Sequence, residues 1–433
     1  MENLDFARLQ MAFTLGFHII FACIGMVMPF FMIISHKKWL NTRKEVYLNL
    51  TKAWQRGVAI FFVTGAVSGT ALSFELGMLW PEFMKHAGPV IGMPFSLEGA
   101  AFFVEAIALG FYLYGWNKLP ERFHWFTGII IGISGVLSGI LVVSANAWMN
   151  SPAGFEVVNG EFVNIDPVAA FFNAAWLSQA VHMTLAAFAA TGFAVAGIHA
   201  FQILRNKRPE LHKEAFKIAL FFGAVAAILQ PISGDLSAKD VAKRQPVKLA
   251  AMEAHYETEA GAPLFIGGIV DEENQEVNGK IEIPKALSFL AFGDFDAEVQ
   301  GLNDFPKEDH PPVSIVHYAF QVMVGIGTLM MLAGILFFIS FRKKSWLDKR
   351  SFWWLFALMS PLGFLALEAG WVVTEVGRQP WIVYQVMRTS EAVTPMPGLQ
   401  FSFYLYVVVY LILAITVFWL MQRQIRVLNQ TTE

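Results

Sequence analysis

The sequence has 433 residues, of which 56% are hydrophobic and only 15% are charged, with a formal net charge of -3. Soluble domains carry about 25% charged residues, so an ordinary water-soluble globule is excluded, and no basic stripe of the kind that binds nucleic acid is present. The single cysteine, Cys23, excludes an intrachain disulfide, a C-x-x-C-H attachment site and a cysteine-ligated iron–sulfur cluster.

Apolar runs near 9–35, 53–78, 93–115, 123–148, 171–204, 215–233, 313–341, 351–376 and 398–422 predict an all-α, polytopic bundle of about nine helices. The first run lacks a basic leader and a small-residue cleavage site, so it reads as a retained helix and not a signal peptide. Alternate connections are basic. Lys37, Lys38, Arg43 and Lys44 follow the first run, Lys118 and Arg122 the third, Arg205, Lys207 and Arg208 the fifth, and Arg342, Lys343 and Lys344 the seventh. Arg423 and Arg426 close the chain, whereas 149–170 has no Lys or Arg. The positive-inside rule then places the N-terminus outside and the C-terminus in the cytoplasm. The outer connection 234–312 is too long for a turn, and its start, Ser237 to Glu259, has the pattern of an amphipathic helix with Val241, Leu249, Met252 and Tyr256 on the apolar side. Three segments follow: helices in 1–233, an outer loop over 234–312, and helices in 313–433.

Ionisable and soft-ligand side chains inside these runs are few. His18, Glu75, Glu98, Glu105, His182, Met323, Glu368 and Glu375 all fall in the predicted outer half of the membrane or near its midplane. Glu98 and Glu105 share one helix face, as do Glu368 and Glu375, because each pair is seven residues apart. A lone helical histidine is more often a packing residue than a ligand, and a methionine is more often core. Paired intramembrane carboxylates are different: burying them is costly, and they default to a functional reading. Histidine, methionine and carboxylate without cysteine suit haem iron, with carboxylates nearby to carry protons.

Several motifs then converge. They are the GRQPW run from Gly377 to Trp381, Arg8-Leu9-Gln10 leading to His18, and Glu98-Gly99 with Phe102-Phe103-Val104-Glu105. Asn146-Ala147-Trp148-Met149-Asn150, Gly234-Asp235, Lys248 to Glu253, and Val322-Met323-Val324-Gly325 complete the set. On these residues the sequence resembles subunit I of cytochrome bd-type quinol oxidases, in the short Q-loop form, over essentially its whole length.

The resemblance implies that His182 and Met323 ligate a low-spin b haem. It implies that His18 and Glu375 each hold one of two high-spin haems, a b haem and a d-type chlorin, with the assignment between them open. Glu98 would lie at the high-spin pair, Glu105 on the proton route, Trp371 between haems, and Arg378 at a haem propionate. Lys248 and Glu253 match quinol-site residues of the outer loop. Gln321 departs from the family, whose members often carry arginine there; the lost cation should lower the low-spin haem's potential. His317 competes with Met323 as a ligand on spacing alone.

By the same resemblance the chain is an electrogenic quinol:oxygen oxidoreductase of the bacterial cytoplasmic membrane. It would oxidise membrane quinol outside, reduce O2 to water with cytoplasmic protons, and pair with a second transmembrane subunit, subunit II, with room for small single-helix accessory subunits. Two alternatives stand beside it: a cyanide-insensitive relative with b haems alone, and a proton-coupled secondary transporter. The transporter reading lacks the internal repeats expected of that class.

Overall fold

Each predicted apolar run falls largely on helix in the computed structural model, which describes residues 3–430. Among these residues nine helices are long and apolar enough to cross a membrane: Asn3–Thr42, Glu45–Leu79, Pro81–Tyr114, Glu121–Asn150, Trp176–Leu204, Pro209–Arg244, Val313–Arg342, Arg350–Val376 and Leu399–Gln430. They are the first to ninth spans below. At 1.5 Å per residue, several are longer than the ~30 Å hydrocarbon layer requires, so their ends stand in the interfacial regions.

Several boundaries differ from the sequence reading, among them the start of the third span at Pro81 and of the fifth at Trp176, and two of the differences have a plain local reason. The sixth span does not stop near 233; it continues through Ser237 to Arg244, and Pro246 ends it by removing a backbone donor. A separate short helix, Pro246–Glu253, follows and closes at Ala254 in the left-handed region (φ +48°). The expected amphipathic helix Ser237 to Glu259 is therefore two helices and an irregular tail, and the loop proper begins at 245. The eighth span, read as one run, is two helices, Arg350–Met359 and Leu362–Val376, parted at Ser360-Pro361. Pro361 cannot continue the ladder, and the Ser360 hydroxyl donates to the Ala194 carbonyl of the fifth span at 2.9 Å.

The basic connections meet at one end of the bundle. There Arg43 donates to Glu121 at 2.7 and 2.6 Å, Tyr47 to Glu214 at 2.9 Å, and Arg208 to the Leu428 carbonyl at 2.9 Å. The opposite end carries the long connections, where the strands form five two-stranded antiparallel pairs. There Arg388 donates to Asp309 at 2.6 Å and the Thr394 amide to the Leu79 carbonyl at 2.9 Å.

The apolar core is unevenly placed. Its main cluster takes Met26 to Ile33, Leu50 to Phe61, Phe193 to Ala200, Leu211 to Ala227 and Phe352 to Met359, all from the half nearer the basic end. Backbones come closest between the fifth and sixth spans, where a Cβ on Gly192 would lie 2.5 Å from the Gly223 Cα. Small residues permit that approach. Three smaller clusters cap the loop end, one around Trp80, Phe83 and Trp148, a second around Ala250, Met252 and Leu302, and a third around Leu249, Leu287 and Ala291. Between the main core and these caps the bundle is hollow.

Candidate functional site: an intramembrane cavity

The hollow is a cavity of about 1560 Å³. That exceeds the roughly 300–1,000 Å³ of a pocket for one drug-sized ligand, so it has room for more than one large group. His18 from the first span, Glu98 and Glu105 from the third, His182 from the fifth and Met323 from the seventh line it. The eighth span adds Glu368, Trp371 and Glu375, and the segment beyond it Arg378. Lys248 and Glu253 reach it from the short helix at the loop end. Thus all the residues to which the family resemblance gives a role lie on one cavity.

Two carboxylates and one histidine from the sequence reading are sorted by geometry. Glu75 is fully buried but does not face the cavity; it accepts from Gln10 Nε2 at 3.0 Å and from the Thr14 hydroxyl at 2.5 Å, tying the second span to the first. Glu368 does face it, and its Oε1 is buried without a hydrogen-bond partner. His317 is also fully buried, with Nδ1 2.8 Å from the Met252 carbonyl, and is not on the cavity wall. Met323 is on that wall, with its sulfur 2.8 Å from where a Cβ on Gly370 would sit, so the eighth span passes directly against it. The spacing that made His317 a rival to Met323 put it on the other face of the helix. Gln321, where the family often has arginine, accepts from the Gly267 amide at 3.3 Å and donates to the Phe265 carbonyl at 2.9 Å. It fastens the seventh span to the long loop.

A polar chain that sequence reasoning did not foresee runs along the loop-end rim. Lys248 Nζ donates to Asn150 Oδ1 at 2.6 Å and to the Thr374 carbonyl at 3.3 Å. Asn150 Nδ2 donates to Asn146 Oδ1 at 3.1 Å, and Asn146 in turn donates to Glu375. The other Glu375 oxygen accepts from Arg378 Nη2 at 2.5 Å. Two asparagines four apart at the end of an apolar helix were the available signal, because that spacing puts them on one face.

Electrostatics at the rim follow from burial. Lys248 is 4% exposed and meets no carboxylate directly. Desolvation drives its pKa well below the ordinary lysine value, with Arg378 adding repulsion and Glu375 opposing. Glu253 is 3% exposed, has an unpartnered Oε2, and is pushed up to about 8 by desolvation. Arg378 is 2% exposed with Nε and Nη1 unpartnered, leaving guanidinium donors free to take an anionic group.

The histidines are oriented from behind. His18 Nδ1 lies 2.8 Å from Ser68 Oγ, and His182 Nδ1 lies 3.0 Å from Ser233 Oγ. Imidazoles fixed at Nδ1, a thioether, carboxylates and a free guanidinium around one large cavity form a donor set that fits iron porphyrins with acidic side chains.

A nine-span helical bundle with such a cavity near one end defines a membrane protein built to hold large redox groups between its helices. The chain belongs to the cytochrome bd terminal oxidase subunit I family, which it matches over residues 6–428. Its fold is similar to that in the structure of bd oxidase from Geobacillus thermodenitrificans, with a TM-score of 0.93 and 37% identity over 98% of both chains. It is 34% identical to the putative cytochrome bd menaquinol oxidase subunit I of Bacillus subtilis (strain 168), covering 97% of this chain and 96% of the relative. It is 26% identical to the cytochrome bd-II ubiquinol oxidase subunit 1 of Escherichia coli (strain K12), covering 98% and 96%.

Proposed function

We propose that this chain is the haem-carrying subunit of a quinol oxidase of the bacterial cytoplasmic membrane, which takes electrons from membrane quinol and reduces O2 to water. The observation that carries the reading is the convergence of His18, His182, Met323 and Glu375, from four different spans, on one cavity of about 1560 Å³. His182 and Met323 would hold a low-spin b haem, and His18 and Glu375 the two high-spin haems, a b haem and a d-type chlorin. Haem iron, when bound, supplies one-electron transfer and the centre for oxygen reduction. Trp371 packs in the cavity wall one turn before Glu375, where it would separate the groups those residues hold.

The remaining roles belong to side chains. Lys248 and Glu253, both buried at the loop end, would receive the quinol headgroup. Lys248 donates to a quinol oxygen; Glu253, once ionised, accepts a quinol proton and releases it to the loop side. Glu98 and Glu105 hold protons on the opposite flank. Glu98 accepts from the Ser138 hydroxyl at 3.0 Å, and Glu105 packs against the backbone at Gly135. With the basic end in the cytoplasm, protons consumed in oxygen reduction would enter past Glu105 and then Glu98. Quinol protons would leave outside, so charge separates without a pump. Subunit II would cover the exposed apolar faces of the spans.

Vesicles of defined orientation test this. Oxygen consumption with added quinol should acidify the loop side in proportion to the oxygen used, because quinol gives up equal numbers of electrons and protons. Oxygen consumption without acidification contradicts the vectorial scheme, and Glu105→Gln should slow turnover while leaving quinol binding intact.

A further inference from the structure

His18 and His182 sit on different helix pairs, yet they are held in the same way. His18 on the first span faces Ser68-Gly69 on the second; His182 on the fifth faces Ser233-Gly234 on the sixth. In each case the histidine Nδ1 is hydrogen-bonded to the serine Oγ, at 2.8 and 3.0 Å. The next residue is a glycine turned to the imidazole edge. A Cβ on Gly69 would lie 3.0 Å from His18 Cε1, and one on Gly234 would lie 3.5 Å from His182 Cε1.

The hydrogens can be counted. A hydroxyl has one proton to give. Ser68 Oγ gives its proton to the Thr64 carbonyl at 2.8 Å, and Ser233 Oγ gives its own to the Gln230 carbonyl at 2.9 Å. An oxygen that gives its proton to a carbonyl of its own helix is left as an acceptor, and the Nδ1–H tautomer of each imidazole satisfies it. The lone pair then resides on Nε2, on a ring that lines the cavity. The Gln230 amide nitrogen does not take that lone pair at His182: it is 3.3 Å from Nδ1 and 3.2 Å from Nε2, and near-equal distances put it off the lone-pair axis of either nitrogen.

We propose that Ser68 and Ser233 are two copies of one positioning device, in which the serine fixes the tautomer so that a neutral imidazole presents Nε2 to iron, and that at Gly69 the missing side chain also leaves room for the ring. The device rests on the reading of His18 and His182 as iron ligands. The partner is a hydroxyl and not a carboxylate, so it orients the ring and draws on the Nδ1 proton only weakly. A carboxylate there would make the imidazole a stronger donor to the metal. The glycines differ in tolerance: 3.0 Å at Gly69 is closer than a real Cβ can sit without displacing the ring, whereas 3.5 Å at Gly234 is an ordinary contact.

The test uses the purified oxidase complex carrying His182→Ala, Ser233→Ala, Ser233→Cys, Ser233→Thr, Gly69→Ala or Gly234→Ala. Haem retention, the low-spin optical signature and the midpoint potential are read for each. His182→Ala should lose the low-spin signature; if it keeps it, the ligand reading itself fails. With that established, Ser233→Ala should weaken haem retention about 10–100-fold, the usual cost of losing an outer-shell partner, and should raise the midpoint potential. Ser233→Cys keeps the volume but weakens the acceptor and should shift the potential the same way, while Ser233→Thr restores the wild-type value. Wild-type retention and potential in both Ser233→Ala and Ser233→Cys would overturn the serine role. Gly69→Ala should perturb the His18-bound haem and Gly234→Ala should leave the low-spin haem unchanged; equal behaviour of the two would overturn the glycine role.

Discussion

Single side chains at the loop-end rim make the sharpest claims. Burial pushes the Glu253 carboxyl up to about 8 in the folded chain, whereas a free glutamate titrates at ~4.3. Between those values the folded state binds a proton that the unfolded state has released. Its contribution to stability therefore falls as pH rises through the window, and the loss is complete above about 8. Glu253→Gln should flatten that slope in a thermal-melt series across pH. If Glu253 is the acceptor for quinol protons, quinol oxidation in the wild type should climb toward about pH 8 as the carboxyl ionises, and the variant should lose the climb. Arg378 makes a second claim. Its pair with Glu375 is buried on the arginine side, so Arg378→Leu takes from the carboxylate its cation and leaves it the Asn146 amide. Removing one partner of a fully buried pair costs about 3–5 kcal/mol; Glu375 is 27% exposed, so the loss should fall below that range. The exposed Lys85–Glu161 pair at 3.5 Å should be worth ~1 kcal/mol or less. Melting temperatures of Arg378→Leu and Lys85→Ala in detergent measure the contrast.

Helices set what could be read in advance. Hydropathy gave all nine spans, because a run long enough to cross lipid has few other uses. Depth along each helix then brought His18, Glu98, Glu105, His182, Met323 and Glu375 to one level. Which face a residue occupies was less legible. Glu75 and Glu368 looked equivalent, and only packing shows that Glu75 meets Gln10 and Thr14 while Glu368 meets the cavity. His317 and Met323 differed in the same way. The serines behind the histidines gave no signal, since a helical serine bonded to a carbonyl a turn earlier is ordinary in a membrane. The extension of the sixth span to Arg244 was hidden by the charges of Asp235, Lys239, Asp240 and Lys243, which read as loop. Asp235 pairs with Lys239 at 2.6 Å and Asp240 with Arg244 at 3.0 Å, both at helical i, i+4 spacing. The closest helix contact yields a prediction at this scale. Gly192→Leu must push the fifth span off the sixth at Gly223, and so separate His182 from Ser233. The expected result is loss of the low-spin haem with the other haems retained, read from the visible spectrum; unchanged haem content would show that the helices part elsewhere.

The molecule as a whole is a bundle filled with apolar side chains toward its basic end and hollow toward its loops. On the proposed reading the hollow would give the family's chemistry a place, and the charge asymmetry would give it a direction. The direction is testable by itself. Cys23 is buried, so an impermeant thiol reagent reports introduced cysteines. In intact cells Glu282→Cys in the long loop should be labelled and Lys118→Cys at the basic end should not; the reverse pattern would turn the proton scheme around. The central claim is that iron porphyrins are held between these helices by His18, His182, Met323 and Glu375. A pyridine haemochrome assay on the purified, well-folded protein, with Met323→Leu alongside, tests it most directly. The account predicts several haems per chain in the wild type and loss of the six-coordinate low-spin signature in the variant; a folded preparation without porphyrin would contradict it.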